Sequence, residues 1–200
     1  MSSMTMTMFA PHIWGYDLAS AQAKIALQAG WSRSDLIWEH LMEAAAKAHA
    51  QGQGARAKRL TRRAHWLARL RFAANDPRRV TGMINLALLS TGSARAKHLQ
   101  SAANLWPRSV TPAIASMQIA PRSRSSLFHL RMETRHRDTF HDNMRTRFTK
   151  FADETAQTIS ALQAGDPAPH RHYSRWRGEK PVVYDDTRKV LAACLLIFDA

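Results

Sequence analysis

A seven-residue phrase that occurs twice sets the terms for any fold of this chain. Gly54-Ala55-Arg56-Ala57-Lys58-Arg59-Leu60 returns as Ser93-Ala94-Arg95-Ala96-Lys97-His98-Leu99, 39 residues further on. Self-similarity at such a period marks a helical unit whose apolar face is too small to be buried alone and is covered by stacking on its neighbour. After the first copy, Ala57, Leu60, Ala64, Leu67 and Ala68 keep helical spacing and predict the inner face of a helix over 55–74. Arg56, Arg59, Arg62, Arg63 and Arg69 take much of its remaining surface.

The flanking segments read as helices that close this pair. A short helix over 17–29 ends at Gly30, and Ser32 or Ser34 caps the next by accepting from a free backbone N–H. Over 34–51 the inner face is Leu36, Ile37, Leu41, Met42 and Ala45, and Gly52 and Gly54 make the turn that follows. Asp76-Pro77 opens a helix over 78–90, lined by Val80, Met83, Ile84, Ala87 and Leu88. Gly92 ends it, a helix over 93–106 follows, and Pro107 is expected to stop that one. Thr111-Pro112 starts a short helix to about Ile119. The longest helical pattern then runs from Ser125 or Ser126 to Gln163, with Phe140, Met144, Phe148 or Phe151, Ala152, Ile159 and Leu162 on one face.

The expected fold is therefore all-α: tandem antiparallel helix hairpins with a flanking N-terminal helix and a long C-terminal helix. Its parts are a loose leader over 1–16 with Trp14 and Tyr16 as docking points, the repeat region over 17–120, the long helix over 121–165, and a basic, aromatic loop with a final helix over 166–200.

Charge is confined in the same way. The net charge is +14, yet from Ala44 to Met132 sixteen Lys and Arg face Asp76 alone, so that stretch carries +15 and the remainder −1. A field concentrated on one region attracts acidic protein, nucleic acid or anionic lipid. The single Cys194, in an apolar run, excludes an internal disulfide framework. Residues 1–10 lack the basic start and apolar run of a secretory signal, and Val190 to Phe198 is too short to span a bilayer. A cytoplasmic location is the expectation. Leu195 to Phe198 is expected to pack in the core, or otherwise to form a docking patch for a second copy or a membrane surface.

Residues 45–89 resemble the tetratricopeptide repeat, closest to the longer version of kinesin light chain-like proteins. Ala45, Gly52, Ala57 and Ala64 fall at that family's small-residue positions, followed by Asn75-Asp76-Pro77 and Asn85-Leu86-Ala87-Leu88-Leu89. The second unit matches through Ala96 and Ala103. The resemblance implies a scaffold whose concave face, lined mainly by the first helix of each pair, holds a peptide or a partner helix.

No phosphate-binding glycine loop, His-Glu-x-x-His or Gly-x-Ser-x-Gly occurs, so the residues give no catalytic assignment. No metal or cofactor is expected. His129, His136 and His141 do not keep to one helical face, and His170-x-His172 has no Cys or acidic pair at ligand spacing. The same loop, with Arg175, Trp176 and Arg177, has the aromatic planes and cations that clamp a base or a phosphate. Trp38 and Trp66 read as packing residues. The preferred function is binding of an acidic protein or peptide by Arg56, Arg59, Arg63, Arg78, Arg95 and Lys97. The alternative is DNA or RNA on the same helices together with His170, Arg175, Trp176 and Arg177.

Overall fold

The computed structural model describes residues 12–13, 16–28, 31–116, 146, 149–150 and 152–167. It is all-α apart from a two-residue antiparallel ribbon, β1 (His12–Ile13) and β2 (Tyr16–Asp17), in which His12 pairs with Asp17 and Ile13 with Tyr16. The helices are α1 (Ala21–Gln28), α2 (Arg33–Ala50), α3 (Gly54–Arg71), α4 (Pro77–Leu88), α5 (Gly92–Ser116) and α6 (152–164). Part of the expected leader is thus paired, and the first helix begins at Ala21 rather than at 17. Asp17 is used by the ribbon, and its carboxylate accepts from the Ala19 N–H at 2.8 Å, which makes a turn before any helix starts.

Local chemistry fixes most of the ends. Ser32 and Asp35 form a reciprocal cap on α2: the Ser32 hydroxyl accepts from the Asp35 N–H at 3.2 Å, and the Asp35 carboxylate accepts from the Ser32 N–H at 2.8 Å. At the other end Gly52 takes φ +72°, and the Gln53 N–H reaches the Ala48 carbonyl at 2.8 Å. Asp76 caps α4, whose first residue is Pro77.

Consecutive helices pack on one another, α2 on α3, α3 on α4 and α4 on α5. Where α2 meets α3 near their turn, Ala45, Ala46 and Ala48 face Ala57, and side chains this small let the two axes approach. Where α3 crosses α4, a Cβ placed on Gly82 would lie 2.8 Å from His65 Nδ1 and 2.9 Å from His65 Cβ. Glycine is required there by proximity and not by torsion. One core joins Ile37, Trp38 and Leu41 of α2, Ala64 and Ala68 of α3, Val80 and Ile84 of α4, Trp106 of α5, and Ala152 and Ile159 of α6.

α5 does not stop at Pro107, and no separate helix starts at Thr111: one helix runs through Pro107 and Pro112. A proline inside a helix removes one hydrogen bond and crowds the carbonyl four residues back. Here Pro107 is exposed while Trp106, Ser109 and Val110 on its flanks are buried, so packing holds both halves in line. The Trp106 Nε1–H donates to the Ala152 carbonyl at 3.0 Å, and Leu162 joins Ala87 and Leu99, so α6 runs antiparallel to α5. Of the inner face predicted for the helix ending at Gln163, Ala152, Ile159 and Leu162 are buried; Phe140, Met144, Phe148 and Phe151, with the three histidines, lie outside the described residues.

The repeated phrase does not occupy equivalent positions. Ala57 is fully buried and Ala96 is exposed, while Leu60 is half-buried and Leu99 buried. The burial of Ala57, Ala64, Leu67 and Ala68 is matched by Leu99, Trp106, Ser109 and Val110, 42 residues on rather than 39. The phrase specifies a helix in both places, but neighbours decide which side turns inward. α3 lies between α2 and α4, whereas α5 packs on α4 and α6.

Candidate functional site

α3 contains six Arg, one Lys and no acidic residue. Its buried side is Ala57, Thr61, Ala64, Leu67 and Ala68. At 100° per residue the opposite side is Arg59, Arg62, Arg63, Trp66 and Leu70, with Arg56 and Arg69 at its two edges. All seven are exposed. Trp66 is 60% and Leu70 59% accessible, so two of the largest apolar side chains of the helix stand in water. Arg62 and Arg63 lie one turn before Trp66, and Arg69 and Leu70 one turn after it.

Among the described residues no carboxylate pairs with a cation of α3, and Arg56 alone has a side-chain partner, donating to Gln53 Oε1 at 3.0 Å. The positive surface continues onto the first turns of α5. His98 is pushed below the ordinary imidazole range by burial first and then by the charges of Lys97 and Lys58, which places these three groups from two helices in one field. Lys97 is exposed and Arg95 half-buried. On the inner flank of α3, His65 is pushed down to about 4, by burial first and then by Arg69, with the Arg79 backbone opposing them, and among the described residues its buried Nδ1 has no hydrogen-bond partner.

Arg78 is not part of this surface. Expected among the exposed candidates, it is 8% accessible, with Nε donating to Asp76 Oδ1 at 2.9 Å, Nη2 to Asp76 Oδ2 at 2.6 Å and Nη1 to Asp35 Oδ1. Its guanidinium lies 3.6 Å from the centre of the Phe72 ring. Burial opposes the charge on Arg78, but Asp76 and Asp35 outweigh it and its proton is held more tightly than usual. Burial also raises Asp35, yet the Arg78 charge and the hydrogen bonds from Arg78 and Ser32 bring its carboxyl below the ordinary range. Arg78 is therefore a clamp between the start of α2 and the start of α4. Its bond to Asp76, two residues away, is a local event; the bond to Asp35 exists only in the fold.

One further expectation is corrected here. Trp38 is buried as expected, but Trp66 is not a packing residue: nine positions from Ala57, it lies half a turn off the inner face. That spacing was the available signal for Trp66, and with it for Leu70, Arg62 and Arg69. The exposed cations lie where the sequence put them, on the helix over 55–74 and at the start of the helix after Gly92. α2 mixes Arg33 and Lys47 with Asp35, Glu39 and Glu43, so the basic face belongs to α3 and the opening of α5. His170, Arg175, Trp176 and Arg177, the final helix and Cys194 lie outside the described residues.

Among the described residues no three metal-ligating side chains gather, and no helix is long and apolar enough to cross a membrane. Compared with known protein families, with curated proteins and with solved structures, the chain matches none.

Proposed function

We propose that this chain is an interaction scaffold that takes hold of an acidic protein segment on the outer face of α3 and the first turns of α5. The observation that carries this reading is the set of exposed arginines on α3 with no carboxylate paired to them among the described residues. Like charges at i,i+3 and i,i+4 repel, so an arrangement that keeps them together is unfavourable until an anionic partner arrives. Arginine rather than lysine supplies six of the seven cations, and its planar fork matches a carboxylate in two parallel hydrogen bonds. Of the tetratricopeptide resemblance, this reading keeps the stacked helix pairs and moves the binding face from the first helices to the second.

The test is retention of the full chain on immobilised polyglutamate and on single-stranded DNA over a salt series. Polyglutamate binding that survives at physiological salt, and is lost in an Arg59→Glu, Arg62→Glu, Arg63→Glu variant, supports the proposal. Stronger retention on DNA, falling steeply with salt as several phosphate contacts demand, overturns it in favour of nucleic acid.

A further inference from the structure

The cations of α3 explain attraction to acid but not why Trp66 and Leu70 are exposed among them. Both sit one turn apart on the side opposite the core, with Arg62 and Arg63 before Trp66 and Arg69 after it. The arrangement has the anatomy of a protein–protein contact: an apolar centre, Trp and Arg as its largest members, and a charged rim. We propose that Trp66 and Leu70 form an apolar anchor point, and that the partner is an amphipathic acidic segment presenting bulky apolar side chains between its carboxylates. This rests on the acidic-partner reading and narrows it.

Charge and shape both favour that occupant. A run of carboxylates alone would satisfy the arginines and leave Trp66 and Leu70 wet, whereas a segment with apolar residues at i and i+4 covers the pair while its acids reach the rim. Bases of single-stranded nucleic acid stack on aromatic planes, and Leu70 offers none. A lipid surface takes a helix with a broad apolar face, and the broad apolar face of α3 is turned into the core.

Two labelled helical peptides test this by fluorescence anisotropy against the full-length chain: one with Leu at i and i+4 flanked by Glu, and a sibling with both Leu replaced by Gln. The Leu peptide is expected to bind about tenfold more tightly, and Trp66→Ala or Leu70→Ala to abolish that preference while leaving the Gln peptide within about twofold. Trp66→Phe should retain most of the preference. Because both positions face water, the variants are expected to keep the wild-type urea midpoint, which separates lost contact from lost fold.

Equal affinity for the two peptides, with the arginine-to-glutamate variant still failing on both, overturns the anchor and leaves the acidic-partner reading standing. Absence of binding to either peptide sinks that reading as well. Trp66-dependent binding of poly(U) or of phosphatidylserine vesicles, stronger than that of the Leu peptide, overturns the anchor in favour of those ligands.

Discussion

Two sets of arginines in this chain, 15 to 19 residues apart in sequence, have opposite fates. Arg78 at the start of α4 is enclosed by Asp76, Asp35 and the Phe72 ring, while Arg59, Arg62 and Arg63 on α3 extend into water. The difference lies in what surrounds them. Helix starts gather capping carboxylates, and Arg78 lies where two such starts converge. The middle of α3 has no acid on its own helix and none paired to it from a described neighbour. An arginine here becomes part of the framework only where the chain supplies the counter-charge; elsewhere its charge is left for something outside the molecule.

Replacing Arg78 with Ala is the severest way to test this contrast. Buried Asp35 and half-buried Asp76 would be left without their cation, and urea denaturation should show a loss of about 3–5 kcal/mol. A loss no larger than that of an average surface change would show that Arg78 and the α3 arginines are of one kind.

A smaller effect is expected at His65, a titratable side chain of α3 that faces inward. Its imidazole stays neutral in the folded protein down to about 4, while an unfolded one takes up a proton near 6.5. The unfolded state therefore gains protons that the folded state does not, and stability falls as pH drops from 6.5 towards 4. Above that window the group contributes nothing to the slope. Urea midpoints across this range should fall less steeply in His65→Gln than in the wild type. Asp35, with its depressed carboxyl, acts below this window, where further acidification neutralises the partner of Arg78.

The smallest effect belongs to the exposed set. Arg62→Gln with Arg63→Gln should leave the urea midpoint within about 0.5 kcal/mol of wild type, because neither group has a partner to lose among the described residues. A clear destabilisation would mean that these arginines hold the fold together and are not held in reserve.

The features legible in the sequence were those that depend on near neighbours along the chain. Ser32, Gly52 and Asp76-Pro77 announce helix ends through hydrogen bonds and torsions spanning a few residues, and Ile37, Leu41, Ala64 and Ile84 show their burial through period alone. The failures lie where distant contacts overrule a local rule. Pro107 signals a stop, but the packing of Trp106 and Val110 carries α5 past it. Ala96 copies Ala57 in wording but not in surroundings. Arg78 looks like any other surface arginine until Asp35 is brought across from 43 residues earlier. The candidate site was half legible: Arg56, Arg59 and Arg63 could be placed on an outer face, whereas Trp66 was misread because aromatic residues are assumed to pack.

The near-contact of Gly82 with His65 bears on how the basic helix is presented. With no side chain on Gly82, the α4 backbone rests against His65 of α3, and any side chain at that position would push the two helices apart. That close approach seats α3 on α4 and so sets which way its arginine row faces. The helix that carries the arginines is in place before capture, so what a partner has still to order is their side chains, at about 0.5–1.5 kcal/mol each.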